Sequence, residues 1–115
     1  MPLAGLHLEN PHTGVRSLVV SADEVEGRSF VVEYTAPVGS PKELVFPHRH
    51  ASWTERFEVL EGRARYRLDG READLAAGEA VELPPGLVHL HPWNTGDTEL
   101  KVRQTTTLLR PEISF

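Results

Sequence analysis

The chain has 115 residues, 39% of them hydrophobic and 25% charged, which suits a soluble globular protein with room for one domain and a real core. It contains no cysteine, so disulfides and thiolate metal sites are excluded, and any metal must use histidine, carboxylate or water. A formal net charge of −5, with Lys42 and Lys101 as the only lysines, argues against nucleic acid or an anionic membrane as partner.

In chain order, the first 30 residues lack a basic start followed by an apolar run, because Glu9, Asp23, Glu24 and Glu26 interrupt them. No signal peptide is therefore expected, and the expected location is cytoplasmic. No apolar stretch approaches membrane-spanning length. Asn10-Pro11-His12-Thr13-Gly14 reads as a polar loop, and neither His7 nor His12 is given a role. Residues 21–26 offer one helical turn at most. Residues 28–35 read as a strand with Phe30, Val32 and Tyr34 on one parity.

The clearest strand pair is 54–60 followed by 63–68. In the second strand Ala64, Tyr66 and Leu68 alternate with Arg63, Arg65 and Arg67, which gives one apolar face and one basic face. A row of arginines in that position reads as a solvated outer face that discourages edge pairing or supports subunit contacts. Asp69-Gly70 is a tight-turn signal into a strand at Arg71–Leu75. Gly78, the run from Pro84 to Gly86 and the run from Asn94 to Asp97 punctuate the next stretch of chain, and 99–109 reads as a last strand. Short strands with turn signals at this spacing predict an all-β sandwich or barrel over residues 1–115.

Four of the six histidines fall in two His-x-His pairs, His48/His50 and His89/His91. Residues two apart on a strand share a face, so each pair can present two imidazoles to one space. Glu55 shares its parity with Phe57 and Val59, which points it to the inside. Buried charges are normally paired or bound to metal, and one divalent cation accounts for these groups together. The same spacing also arises on solvated strands, and spacing alone does not choose between the two.

The segment resembles the first motif of the cupins: His, any residue, His, four residues, Glu, six residues, Gly. His48, His50, Glu55 and Gly62 match it without a gap. Gly78, Pro84, Gly86 and His89 are similar to the second motif in register, and Arg63 to Ala77 form a compact spacer. Motif one spans 48–62 and motif two 78–94. Two departures stand out. Lys42 occupies the place of a glycine six residues before the first histidine. The asparagine expected four residues after His89 is displaced by one, so that Trp93 stands there and Asn94 follows. A bulge or turn at His91-Pro92 accounts for the shift, since proline has no N–H to donate to a ladder.

The resemblance implies a jelly-roll β-barrel with His48, His50, Glu55 and His89 holding one divalent transition metal: Fe, Mn, Ni, Zn, Co or Cu. His91 is the rival for the third imidazole. It reads otherwise as a base or hydrogen-bond partner of a bound ligand, or as turned to the surface by Pro92. Tyr66 is the core residue whose hydroxyl can reach the cavity, and the candidate catalytic groups are therefore His91 and Tyr66. Trp53 and Trp93 line the pocket mouth, or pack at the barrel rim or at a dimer interface.

The function implied is a small-molecule enzyme of dioxygenase, isomerase or lyase type. The alternative is a cupin that binds a sugar or other small ligand without turnover. No helix-turn-helix fits the flanks, and a homodimer is expected by resemblance.

Overall fold

The computed structural model describes residues 4–22, 29–39 and 53–108. These form nine strands and no helix: β1 (His7–Glu9), β2 (Arg16–Ala22), β3 (Ser29–Ala36), β4 (Trp53–Glu61), β5 (Arg63–Leu68), β6 (Arg71–Ala76), β7 (Ala80–Leu83), β8 (His89–Asn94) and β9 (Leu100–Leu108). They build a six-stranded sheet in the order β1-β2-β3-β9-β4-β7 and a three-stranded sheet in the order β6-β5-β8. Every pairing is antiparallel. No helix of the described residues is long and apolar enough to cross a membrane.

Period-two alternation decides which side chains enter the core. On β4, Phe57 and Val59 are fully buried while Arg56, on the opposite parity, is exposed. On β9, Leu100 and Val102 are buried in the same way. Ala36 of β3, Ala64 of β5, Leu75 of β6 and Leu83 of β7 join them in one cluster, so the two sheets share a single apolar interior. Burying each of the larger side chains contributes about 1.5–3 kcal/mol.

Two turns explain why β4, β5 and β6 follow one another so closely. Asp69 and Gly70 have φ of 51° and 82°, the left-handed pair that a two-residue hairpin loop with right-handed strand twist requires. Gly62 joins β4 to β5 at φ +91°, and a Cβ there would lie 2.6 Å from the Glu99 carbonyl oxygen. Both the backbone conformation and the space call for glycine.

The arginine row lies outside, as the alternation predicts. It is tied down across the strand pair: Arg65 donates to Asp74 at 2.8 Å, and Arg67 pairs with Glu72. The N-terminal strands β1 and β2 carry no clear strand signal in the sequence. Ser21 and Ala22 end β2, so the first positions of the helical turn offered at 21–26 are strand, and 23–26 lie outside the described residues.

Candidate metal centre

Glu55 sits on the inner face of β4, opposite Leu83 of β7 and Thr106 of β9, and is only 3% exposed. A carboxylate so buried must be paired or bonded. Its Oε1 lies 3.0 Å from His89 Nε2 and 3.2 Å from His91 Nε2. Its Oε2 accepts a hydrogen bond from Gln104 Nε2 at 2.8 Å.

Both imidazoles come from β8. His89 is opposite Leu68 of β5 and almost fully buried. The His91 side chain keeps 26% of its surface exposed, so it faces both Glu55 and the solvent side. The two rings stack with centroids 5.6 Å apart, and Phe57 tilts against His91 at 4.7 Å. One ligating atom from each of Glu55, His89 and His91 falls within 4.8 Å of the others.

The surroundings of His89 test whether a cation fits. Its Nδ1 lies 3.1 Å from the Leu87 carbonyl oxygen, which can only accept. Its Nε2 faces Glu55 Oε1, another acceptor. A neutral imidazole has one N–H, so it satisfies one of these and turns a lone pair on the other. A cation between Nε2 and Oε1, either a second proton or a metal ion, resolves the conflict. The Nδ1–H to carbonyl bond is the usual way a metal-ligating histidine is oriented. The separations of 3.0 and 3.2 Å bring an imidazole nitrogen of each histidine together with one carboxylate oxygen, a mixed nitrogen and oxygen donor set that divalent transition metals accept. The residues present therefore fit a metal ion.

Strand β8 carries the irregularity that the displaced asparagine predicts. Arg65 faces Trp93 and Arg67 faces Leu90, so His91 and Pro92 together oppose the single residue Tyr66. This is a β-bulge. After it, Asn94 faces Ala64 and returns to the inside, where its amide donates to the carbonyls of Ala36 at 3.1 Å and Thr98 at 2.9 Å. The Pro92 carbonyl accepts from the Tyr34 hydroxyl at 3.1 Å. Burial, and secondarily the charge of Glu55, push the Tyr34 phenol above its ordinary range, which keeps it a donor. The bulge is thus anchored to β3 by Tyr34 and by the contact of Asn94 with Ala36.

Of the sequence-derived site residues, Glu55 and His89 meet. His91 joins them rather than being turned to the surface by Pro92. His48 and His50 lie outside the described residues, as do Lys42 and the side chain of Trp53. Tyr66 is half-buried against the core cluster, and among the described residues no hydrogen bond links it to the triad. Trp93 follows the bulge on the face of Arg65, not on the face of the triad.

The cupin domain family model matches residues 32–107. The chain is a cupin. Among solved structures, this cupin is similar to one described as a predicted oxalate decarboxylase from Thermotoga maritima, at TM-score 0.76 and 21% identity, over 93% of this chain and 94% of that one. It is similar to the Cnp3 cupin domain of Schizosaccharomyces pombe at TM-score 0.71 and 12% identity, covering 82% of this chain and 64% of that one. It also matches the Fe(II) form of HppE at TM-score 0.72 and 15% identity, covering 92% of this chain but 57% of that one. The cupin thus spans less than two thirds of the length of the latter two. None of the curated proteins matches it in sequence. The two antiparallel sheets are consistent with the jelly roll of the family.

Two contributors to the site of this cupin have no place in the sequence motifs, Gln104 and Tyr34. Gln104 does carry a signal: it shares the parity of Leu100 and Val102 on β9, so it is a polar side chain on an apolar face.

Proposed function

We propose that this cupin is a metal-dependent small-molecule enzyme of dioxygenase, isomerase or lyase type. In this reading the two sheets close as a jelly roll, and His48, His50, Glu55 and His89 hold one divalent transition metal inside it. A bound metal would supply Lewis acidity and open positions for a small oxygenated ligand. The observation that carries the reading is the meeting of His89 and Glu55 at 3.0 Å, with the other His89 nitrogen already committed to a carbonyl. The Fe(II) neighbour supports a metal in this fold, and the neighbour described as a predicted oxalate decarboxylase supports small-molecule chemistry.

His91 is proposed to act beside the metal rather than as an obligatory ligand. Its partial exposure, 26% of the side chain, supports a role in meeting a ligand from solvent and in accepting or donating a proton there. A homodimer belongs to the same proposal.

Metal analysis of protein purified without added metal tests the reading. About one equivalent is expected in the parent, with near-complete loss in Glu55→Ala, His89→Ala and His48→Ala. His91→Ala is expected to keep its metal and to lose turnover. A parent without stoichiometric metal would sink the enzyme reading and leave a module that binds a small ligand without chemistry.

A further inference from the structure

We propose that Gln104 is a positioning residue whose amide holds one oxygen of Glu55 so that the other is presented together with the two imidazoles; the proposal rests on the metal reading of the same site. Among the described residues, the two oxygens of the carboxylate have different partners. Oε2 takes the Gln104 Nε2–H at 2.8 Å, and Oε1 takes the approaches of His89 and His91 at 3.0 and 3.2 Å.

The backbone explains how Gln104 reaches Oε2. It pairs with Phe57 in the β4–β9 ladder, whereas Glu55 pairs with Thr106. Gln104 and Glu55 are therefore diagonal neighbours on one inner face, within reach of a long side chain. The amide orientation is fixed by chemistry, because the carboxylate accepts only and must face the NH2 end.

A carboxylate can swing about its last bond and can offer a cation one oxygen or both. A donor fixed on Oε2 favours one-oxygen presentation through Oε1. It also sets the plane of the group relative to the imidazoles of β8. Partners of ligating carboxylates of this kind commonly govern metal affinity 10–100-fold. Gln104 bonds Oε2 and not the Oε1 that meets the imidazoles, so its effect runs through Glu55.

The test is Mn(II) affinity and the visible absorption of the Co(II)-loaded protein, in the parent and in Gln104→Met. Methionine keeps the length and removes the donor. Far-ultraviolet circular dichroism of the metal-free proteins verifies the fold. The expected result is a roughly 10–100-fold weaker Mn(II) affinity and a shifted Co(II) spectrum, since Glu55 is released to rotate. Gln104→Asn keeps the amide but is too short to reach, and the same loss is expected. If Gln104→Met does not fold, the Asn variant decides. Parent-like affinity, within twofold, and an unchanged Co(II) spectrum in a folded variant would overturn the proposal while leaving the metal reading standing. A parent that binds neither ion would overturn both.

Discussion

Adjacent residues on β9 serve two glutamates in opposite ways. Arg103, on the outer face, gives two hydrogen bonds to Glu33 Oε2, at 3.0 Å from Nε and 2.6 Å from Nη2, and Lys101 Nζ stands 4.0 Å from the other oxygen. Gln104, on the inner face, gives one bond to Glu55. Outside, a permanent guanidinium balances the carboxylate, and the pairing raises the Arg103 pKa through its hydrogen bond to Glu33. Inside, the described groups bonded to Glu55 are an amide and two imidazoles. An amide orients a carboxylate without neutralising it, and imidazoles offer lone pairs as readily as protons. The outer arrangement is a finished ion pair; the inner one has the form of a cation site.

The largest test of that contrast removes each carboxylate in turn. Glu55→Ala should abolish metal binding, whereas Glu33→Ala should leave affinity within twofold of the parent, both read by Mn(II) titration. Equal losses in the two would mean that general stability, not the local geometry, controls the metal. A sharper version gives the inner carboxylate the partner of the outer one. Gln104→Lys places a fixed cation against Glu55, and like-charge repulsion with a divalent ion should weaken Mn(II) binding more than Gln104→Met does. A Lys variant that binds as the parent does would break the argument that the neutrality of Gln104 matters.

A smaller effect is expected at the anchor of the bulge. Tyr34→Phe deletes the bond to the Pro92 carbonyl, which costs about 1 kcal/mol and lowers the melting temperature by about 4 °C. The pH dependence carries a direction as well. Burial, with Glu55 second, raises the phenol's pKa in the folded protein. Its stabilising contribution is therefore present in full below the ordinary tyrosine value of about 10 and is lost as pH rises above it. Tyr34→Phe should flatten the alkaline limb of the stability profile. A limb identical to the parent's would show that another group unfolds the protein in base.

Local signals make the middle of the fold legible. The alternation of Arg63 to Leu68 and the Asp69-Gly70 turn mark β5 and β6 because both depend on neighbours in sequence. The bulge in β8 is legible because Pro92 cannot donate and Asn94 is one place late. Strand β1 is not legible: it has three exposed residues and exists through pairing with β2. Of the site, Glu55 and His89 are marked by motif and parity. The role of Gln104 is hidden because it depends on a carboxylate 49 residues away, and that of Tyr34 because its acceptor is a carbonyl opened by the bulge 58 residues away. Tyr66, the hydroxyl singled out from sequence, shares its alternation with core residues and packs as they do.

The mildest consequence concerns the outer pairing at Arg65 and Asp74, which resembles Glu33 and Arg103 in kind but lies on the smaller sheet. The hydrogen bond from Arg65 lowers the Asp74 pKa, with the nearby positive charge adding to it. A lowered carboxylate pKa means a stabilising contribution present above the ordinary aspartate value of about 3.9 and lost as pH falls through the folded value. Both side chains are well exposed, at 44% and 61%, so salt screens the charge of the pair. Asp74→Asn should therefore blunt the acid limb slightly at low ionic strength, and the difference from the parent should fade at about 1 M salt. Persistence of the difference in salt would mean that the pair acts through hydrogen-bond geometry rather than charge. Acid unfolding curves at the two ionic strengths distinguish these, and Mn(II) affinity at neutral pH should not move in either.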